Sequence, residues 1–288
     1  MKKVIVLLLL LVFCGSVGQG LYRLKKGFSC RRLHPIDLVV DGNFSDEVNQ
    51  ALEQTFTYVG RGRQCFAFAS VDGHYILKFP RTDIYKTPLW ARALPVSAYR
   101  KALEAEHKKR EKFVFNSFHL SAKELQGETG VIALHLGQSA PAGKMLTLID
   151  ALGCTHRVPL EKVSFILQHK HPIWTQAFLH SLEKGDRQGA EKILDAFLSV
   201  VVDRANKGIL NKDRSFLRNY GFDGTKAYQI DVGSFYRKPE LSPQATYQKS
   251  VRDSLDPVQE WLAIKDPTMK QYLDQKLEKL LDISSHIE

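Results

Sequence analysis

The chain has 288 residues, 44% hydrophobic and 25% charged, and its 41 Lys and Arg residues against 31 Asp and Glu give a formal charge of +10. This composition is that of a globular protein, and it excludes a disordered, collagen-like or polytopic membrane chain. The length fits one large domain or two small ones. The positive charge favours anionic partners such as phosphates, nucleotides, nucleic acid or an anionic membrane face, without choosing among them.

The N-terminus has the layout of a secretory signal peptide. Lys2 and Lys3 precede an apolar run over residues 4–14, and small residues follow it. An uncleaved anchor also fits, because residues 4–22 form an uncharged stretch of 19 residues, enough to span a bilayer as a helix. The basic residues that follow would leave the body of an anchored form in the cytoplasm. We therefore expect an exported, secreted or membrane-anchored protein, with residues 1–22 as signal or anchor and residues 23–55 as an N-terminal extension.

The four cysteines are Cys14, Cys30, Cys65 and Cys154, and no two of them form a CxxC pair. Neither a zinc ribbon nor a thioredoxin-type redox motif can be built from this spacing. After removal of residues 1–22, three free thiols are favoured over one disulfide with one free thiol.

A helix begins after Ser45, where a capping serine and first-turn acids precede an apolar periodicity. A strand-rich region follows. Residues 56–59, 66–71 and 74–79 predict three strands, with a tight turn at Asp72-Gly73 between the second and the third. The sequence therefore places a glycine-containing loop, residues 60–65, between two antiparallel strands.

The glycines in this loop have the pattern Gly60-x-Gly62-x-x-Cys65, and Lys78 lies on the third strand. A Rossmann fingerprint needs glycines that open a helix, and a Walker A loop needs a Gly-Lys-Ser/Thr ending, so the sequence excludes both. The pattern resembles the glycine-rich loop and strand-three lysine of the protein-kinase-like superfamily. That resemblance implies that Gly60 and Gly62 cradle nucleotide phosphates and that Lys78 binds them.

Residues 97–118 are rich in Lys and Glu and predict one long helix. In the family that the loop resembles, a helix at this place supplies a glutamate that pairs with the strand lysine. Glu104, Glu106 and Glu111 compete for that role, and Glu104 is favoured, whereas the alternative places all three on a solvated face.

Residues 131–136, 145–149 and 163–168 predict further strands, and from residue 173 onward the pattern is helical. The connector Gln168-His169-Lys170 resembles the hinge between the lobes of a kinase, which implies that Gln168 binds adenine through its backbone. His169 and His171 lack a third ligand at a suitable spacing and are not predicted to bind a metal. Residues 189–207 predict an amphipathic helix that ends at Gly208.

The segment after Gly208 carries the most informative pattern. Asp213 is followed by Asn219, by a glycine turn at Asp223-Gly224, by a predicted strand over 227–230, and then by Asp231-Val232-Gly233. This order is similar to the catalytic loop and metal-binding motif of kinase-like enzymes. The resemblance implies that Asp213 is the base that accepts the proton of an acceptor hydroxyl, and that Asn219 and Asp231 bind Mg²⁺, which prefers oxygen ligands. Lys212 or Arg214 could neutralise charge on the transferred group.

Several positions depart from the family pattern. No histidine stands two positions before Asp213, Asn219 comes one residue later than usual, and Cys65 replaces the third glycine of the loop. No Ala-Pro-Glu segment follows Asp231-Val232-Gly233. With these departures, the sequence resembles the atypical and small-molecule branches of the superfamily more than a typical Ser/Thr kinase.

We therefore expect an α+β protein with a two-lobed protein-kinase-like fold, an antiparallel small lobe over 56–168 and a mainly helical large lobe over 169–288. Its expected function is that of an ATP- and Mg²⁺-dependent phosphotransferase whose acceptor is an unidentified protein or small molecule. One alternative is a catalytically inactive pseudokinase or binding scaffold, and another is a membrane-tethered, basic polyanion-binding module. No motif for specific nucleic-acid binding is present. The C-terminal residues 248–287 predict large-lobe helices interrupted at Pro257 and Pro267.

Overall fold

The computed structural model describes residues 16, 19–20, 22–33, 35–36, 44–87, 97–137 and 143–283. The predicted signal or anchor, residues 1–22, lies outside these residues except for positions 16, 19, 20 and 22, and residues 284–287 of the predicted C-terminal helix also lie outside them. Within the described part of the chain, no helix is both long enough and apolar enough to cross a membrane.

Eleven strands are described, and the predicted strands are among them. Their bounds are β1 Thr55–Arg61, β2 Cys65–Ser70, β3 Tyr75–Pro80, β4 Val131–His135, β5 Met145–Ile149, β6 Thr155–Pro159, β7 Phe165–His169, β8 Leu210–Asn211, β9 Tyr220–Phe222, β10 Ala227–Gln229 and β11 Phe235–Tyr236. Seven of them form one sheet in the order β4-β7-β3-β2-β1-β5-β6, and the other four form two small two-stranded sheets, β10-β9 and β11-β8.

Seven α-helices are described along the same residues. They are α1 Asp46–Leu52, α2 Ser97–Lys123, α3 Gln126–Thr129, α4 Trp174–Glu183, α5 Arg187–Asn206, α6 Pro243–Lys265 and α7 Pro267–Ile283. The serine cap of α1 is confirmed, since the Ser45 hydroxyl accepts a hydrogen bond from the amide of Val48 at 3.4 Å. Asp186 caps α5 in the same way, accepting from the amide of Gly189.

The expected α+β class is confirmed, with one difference in the large sheet. β1–β2, β2–β3 and β5–β6 are antiparallel, as expected for hairpin connections, but β5 adds to the edge of β1 in parallel. A parallel pair needs a long crossover rather than a tight turn, and the connection from β1 to β5 contains β2, β3, α2 and β4. The hairpin β5–β6 therefore adds two strands to the sheet beyond β1.

The chain divides into two compact units. The first contains residues 1–88 and 133–168, and the second contains residues 89–132 and 169–288. Helix α2 belongs to the second unit, where it packs against β11. The expected lobes, residues 56–168 and 169–288, stay a prediction.

An aromatic cluster lies at the centre of the second unit. Trp174 is fully buried and stacks on Phe197 with their ring centroids 4.5 Å apart. The apolar face predicted for residues 189–207 is confirmed, because α5 buries Ile193, Leu194, Phe197, Leu198 and Val201 in this core. Burial of large apolar side chains is the main term that stabilises such a unit.

Helix α6 continues through Pro257, so the predicted interruption there is wrong. Proline has no amide hydrogen, and it therefore leaves the carbonyl of the residue four positions earlier, Asp253, without its helical donor. The Nε of Arg214 donates to that carbonyl at 3.3 Å. A side chain from another part of the second unit thus takes the place of the missing helical hydrogen bond, while Pro267 does begin a new helix.

Candidate functional site

In the first unit, strand register places the glycine-containing loop beside the predicted strand lysine. Gly60 pairs with Ala67, and Ala67 pairs with Lys78, so the three residues form one row across β1, β2 and β3. Directly paired residues of neighbouring strands share one face of a sheet. Lys78 therefore lies on the same face as Gly60, with only the methyl group of Ala67 between them in the row.

The loop itself is a closed turn with space above it. The amide of Gly62 donates to the carbonyl of Cys65 at 2.9 Å, and the Arg81 guanidinium donates to the carbonyls of Gly62 and Arg63 at 3.4 and 3.3 Å. A Cβ added at Gly60 would meet nothing within 4 Å among the described atoms. Packing thus gives no reason for a glycine at this position, and phosphate binding by the loop stays a prediction.

The three glutamates predicted to compete for Lys78 lie along α2 in the second unit. Glu104 is exposed, Glu106 is paired with Arg110 at 2.8 Å, and Glu111 is half-buried. The Arg110 guanidinium lowers the pKa of Glu106. The pairing of Glu104 with Lys78 joins residues of different units and stays a prediction.

Gln168, the residue predicted to bind adenine, is 1% exposed near the end of β7. The amide of the next residue, His169, donates to the carbonyl of Gly130 at 2.9 Å. The His169 amide is therefore already used within the second unit, and the assignment of adenine binding to Gln168 stays a prediction.

In the second unit, two short sheets hold the segment with the catalytic-loop pattern. β8 pairs with β11, and the amide of Lys212 extends this pairing by donating to the carbonyl of Ser234 at 2.9 Å. β9 pairs with β10 across the turn at Asp223-Gly224, where Gly224 has a φ of +108° that favours glycine. These pairings bring the residues after β8, before β9 and after β10 close together.

Asp213 is fixed through both its side chain and its backbone. Its carboxylate accepts from the amide of Ser215 at 2.8 Å and from the side-chain amide of Asn219 at 3.0 Å. The side chain of Asn211, 6% exposed, donates to the Asp213 carbonyl at 2.8 Å and accepts from the Asp213 amide at 3.1 Å. A half-buried carboxylate held in this way is oriented to accept a proton from a hydroxyl placed beside it.

Asn219 and Asp231, the predicted metal ligands, are neighbours. The carbonyl of Asn219 accepts from the amides of Ile230 and Asp231 at 2.8 and 3.5 Å. The carboxylate of Asp231 accepts from the amide of Gly233 at 3.3 Å through Oδ1. Among the hydrogen bonds described within the second unit, none involves Oδ2 of Asp231 or the side-chain oxygen of Asn219.

These two oxygens fit Mg²⁺, which binds to proteins through one or two carboxylates and takes its remaining ligands from water and phosphates. No group of three or more His, Cys, Asp or Glu side chains that could hold a metal ion exists within the described residues. The donor set therefore suits a cation that arrives with a phosphate ligand rather than one caged by protein side chains alone.

The two cations beside Asp213 already have partners in the second unit. Arg214 lies 3.3 Å from the carboxylate of Asp256, and the Nζ of Lys212 lies 5.5 Å from the centre of the Phe113 ring. The segment between Asp213 and Asn219 is also anchored to α4, since Trp174 and Thr175 donate to the carbonyls of Phe216 and Leu217, each at 2.9 Å. The loop is thus held from two sides.

Sequence reasoning missed two residues that support this cluster. One is Asn211, which stands two positions before Asp213, where the family pattern has histidine. The other is Ser117 of α2, whose hydroxyl donates to the carbonyl of Val232 and accepts from the amide of Phe235, both at 2.6 Å. The spacing Asn-x-Asp is a signal that could have identified Asn211, but no local signal marks Ser117, because its partners lie more than a hundred residues away.

One of the two connector histidines, His171, packs against β10. The ring of His171 stacks on Tyr228 with centroids 4.0 Å apart, and burial lowers the pKa of His171. Tyr228 donates to Asp223 at 3.0 Å, and Asp223 also accepts from Thr225 and Lys226. Although partial burial acts to raise it, these hydrogen bonds hold the pKa of Asp223 at about 2. The contacts tie the β9–β10 turn to the connector.

Comparison with known proteins gives only distant similarity. No protein-family model matches the chain, and no curated protein matches it. Among solved structures, a crystal structure of WbdD matches with 18% identity and a TM-score of 0.34, over 65% of this chain and 35% of that chain. A structure of the bifunctional kinase-methyltransferase WbdD matches with 18% identity and a TM-score of 0.31, over 65% and 34%. A co-crystal structure of WbdD with the kinase inhibitor LY294002 matches with 15% identity and a TM-score of 0.34, over 67% and 36%.

The chain thus spans about a third of the length of the WbdD chains that it matches. At TM-scores this low, the similarity carries no argument about function.

Proposed function

We propose that this protein is an ATP- and Mg²⁺-dependent phosphotransferase of kinase-like fold that acts on a hydroxyl group of an unidentified protein or small molecule. The observation that carries the proposal is the cluster of Asp213, Asn219 and Asp231 in the second unit, in which one carboxylate is oriented and two oxygens remain available. A hydrogen-bonded carboxylate beside two magnesium-type ligands is the donor set that phosphoryl transfer requires.

Each residue of the second unit has a distinct role in this proposal. Asp213 accepts the proton of the acceptor hydroxyl, and Asn211 and Ser215 keep its carboxylate and backbone in position. Asn219 and Asp231 would hold Mg²⁺. Bound Mg²⁺ and ATP would supply the transferable phosphoryl group and neutralise its charge.

The first unit contributes the phosphate-binding residues. A Cβ at Gly60 would meet nothing within 4 Å, and Lys78 lies in the same row as Gly60. The amide and carbonyl of Gly62 are hydrogen-bonded to Cys65 and Arg81, so Gly62 keeps the turn of the loop closed. We propose that Lys78 binds phosphate oxygens and that Gln168 contributes backbone contacts to adenine. Lysine serves as a point charge for phosphate in such loops.

The partner of Lys78 is best tested with three charge-neutral variants, Glu104→Gln, Glu106→Gln and Glu111→Gln. We expect loss of ATP binding in Glu104→Gln only. Loss of ATP binding in Glu111→Gln instead would assign the pairing with Lys78 to Glu111, the half-buried glutamate. Glu106→Gln serves as the control, because its i, i+4 pair with Arg110 is an exposed surface contact worth little free energy.

The proposal is tested by thermal melting of the full chain with and without ATP and Mg²⁺. A ligand present at about 100 times its Kd stabilises the native state by about 2.7 kcal/mol, which raises the melting temperature by a few degrees. We expect this rise to require Mg²⁺ and to disappear in Lys78→Ala and in Asp231→Asn. Glu260→Gln, an exposed substitution on α6, should keep the full rise.

No rise with ATP and Mg²⁺ would overturn the proposal. A rise without phosphoryl transfer to any acceptor or to water would favour the pseudokinase alternative. The compartment is a separate proposal, namely that residues 1–22 export or anchor the chain. Protease accessibility of a C-terminally tagged full chain in intact cells tests it, since protection by the membrane indicates a body on the cytoplasmic side.

A further inference from the structure

Phe28 packs the first part of the N-terminal extension on the sheet of the first unit. Phe28 is 3% exposed, and its ring centroid lies 5.9 Å from Tyr58, 5.4 Å from Phe66 and 4.9 Å from Phe68. Burial of a phenylalanine against three aromatic rings fixes this segment on β1 and β2. The residues just before Phe28 are thereby placed beside the end of β1.

A β-bulge in β1 determines which side chains meet the extension. Tyr58 pairs with Phe68 and Arg61 pairs with Phe66, but the register shifts by one residue between Tyr58 and Gly60. Residues three apart in a regular strand point to opposite faces, and a bulge restores them to one face. Tyr58 and Arg61 therefore lie on the face with Phe28, whereas Lys78 lies on the opposite face.

A cavity of about 360 Å³ opens at this place, and we call it the Tyr22 pocket. Tyr22 is the last residue of the predicted signal or anchor, so the pocket is complete only in a chain that keeps residues 1–22, as the anchored form does. The lining of the pocket contains two arginines, a lysine and two tyrosines. The lining residues are Tyr22, Arg23, Lys26, Gly27, Tyr58 and Arg61. Among the described residues, no carboxylate lines the pocket and none pairs with Arg23, Lys26 or Arg61.

Hydrogen bonds join the residues that line the pocket. The Arg61 guanidinium donates to the Tyr22 hydroxyl at 2.9 Å, and Tyr58 donates to the Lys26 carbonyl at 3.4 Å. Gly27 has a φ of +77°, which favours glycine, and a Cβ there would displace the end of the Arg61 side chain.

Positive charge accumulates around the Tyr22 ring. The guanidinium carbons of Arg32 and Arg61 lie 5.2 and 5.9 Å from the ring centre. The nearby carboxylate of Asp83 is shared by Arg32 at 3.3 Å and Arg81 at 3.8 Å, so it does not balance the pocket. The hydrogen bond from Arg32, together with that from Arg61, lowers the pKa of the Tyr22 phenol, as a positive potential would.

We propose that the Tyr22 pocket binds the phosphate group of a small anionic ligand, either a free phosphomonoester or a phospholipid headgroup. Arginine forks match phosphate oxygens in geometry, and a lysine adds a further charge. Three cations suit a dianion better than a single carboxylate, and the volume suits a ligand of sugar-phosphate size. The Arg61 side chain lies on the face of the sheet opposite Lys78, although the Arg61 backbone stands between Gly60 and Gly62, which are proposed to bind the ATP phosphates.

Every protein in the test is a full chain that carries Lys78→Ala, which removes the proposed nucleotide phosphate contact, and Mg²⁺ is left out. The parent with Lys78→Ala alone is compared with the variant that also carries Lys26→Gln/Arg61→Gln. One arm titrates inorganic pyrophosphate, and the other compares phosphatidylcholine vesicles with and without phosphatidic acid. The control, Arg252→Gln/Lys265→Gln, removes the same charge from exposed positions on α6. Loss of two cationic contacts should weaken binding about tenfold or more, whereas the control should bind as the parent does.

Binding of pyrophosphate that is lost only in the pocket variant supports a free phosphate ligand. Selective binding to phosphatidic acid vesicles, lost in the same variant, supports a lipid headgroup. Equal binding by pocket and control variants would show a general charge effect and overturn the proposal, as would absence of binding in both arms. A positive result here, with no melting shift from ATP and Mg²⁺, would leave this pocket standing while the proposed phosphotransferase function fails.

Discussion

The side-chain amide of Asn219 donates a hydrogen bond to the carboxylate of Asp213 at 3.0 Å. The two residues are six positions apart, one more than in the family pattern, yet the loop between them still brings the side chains together. Its middle is held by hydrogen bonds from Trp174 and Thr175 to the carbonyls of Phe216 and Leu217. Because the amide nitrogen of Asn219 makes this hydrogen bond, its side-chain oxygen takes no part in it.

The first prediction concerns Asp213→Asn. Asparagine keeps the size of the side chain but cannot take up the proton of a hydroxyl, so binding should survive while turnover is lost. We expect the ATP- and Mg²⁺-dependent melting shift to stay and phosphoryl transfer to fall by about 10²–10⁴-fold. Parallel melting and radiolabel-transfer assays measure the two effects. Undiminished transfer would place the base elsewhere.

The second prediction concerns Ser117→Ala in α2. The substitution leaves the Val232 carbonyl and the Phe235 amide without their buried partner, which costs about 1–3 kcal/mol. Since one of these groups lies in the Asp231-Val232-Gly233 segment and the other lies two residues after it, we expect a weaker Mg²⁺-dependent melting shift as well as lower stability. Urea denaturation and the ATP melting assay measure the two quantities.

Ser121→Ala is the matched control for this experiment. Ser121 lies one turn further along α2 and is equally buried, but its hydroxyl donates to the carbonyl of Phe118 within the helix itself. We expect a smaller loss of stability and an unchanged response to ATP and Mg²⁺. If both variants lost the response equally, Ser117 would have no particular role in positioning the metal segment.

Local sequence signals predicted the parts of the fold that depend on nearby residues. The turn at Asp72-Gly73 needs a positive φ, which Gly73 supplies at +77°, and the hairpin β2–β3 follows from it. The apolar period of α5 and the oxygen-bearing residues Asp213, Asn219 and Asp231 were likewise visible in the sequence.

The rest depends on contacts that are distant along the chain. The parallel pairing of β1 with β5 joins residues about ninety positions apart, and no local pattern marks it. Continuation of α6 through Pro257 depends on a donor from Arg214. The bulge in β1 places Tyr58 and Arg61 on one face, and a strict alternation of side chains predicts the opposite.

The third prediction concerns Arg204, a buried cation without a carboxylate partner among the described residues. Its guanidinium donates to Tyr220 at 3.2 Å, to Ser254 at 2.6 Å and to the side chain of Gln229. These bonds link α5 to β9, β10 and α6. Arg204→Ala would leave several buried polar groups unpaired, and we expect the free energy of unfolding to fall by about 3 kcal/mol or more.

Urea denaturation measures this loss, and Lys192→Ala on the same helix is its control. Lys192 is exposed, so its substitution should change the free energy of unfolding by less than about 0.5 kcal/mol. Equal effects of the two substitutions would mean that the buried guanidinium contributes nothing beyond helix propensity.

The fourth prediction concerns the pH dependence of the turn at Asp223. Its pKa is about 2 in the folded protein, against about 3.9 for an unperturbed aspartate. Because the pKa is lower in the folded protein, the ionised carboxylate stabilises the fold at pH values above the pKa of the unfolded chain. This contribution is lost as the pH falls towards 2, the pKa in the folded protein. Asp223→Asn keeps the shape of the side chain and removes the charge.

We therefore expect wild type to melt at a higher temperature than Asp223→Asn at pH 7, and the difference to shrink between about pH 4 and pH 2. Because Asp223 is exposed, solvent screening keeps the difference small, so it is measured as a difference between paired melting curves. A difference that stayed constant down to pH 2 would mean that shape rather than charge supports the β9–β10 turn. The contact of Tyr228 with His171 would then have to hold the connector without the ionised aspartate.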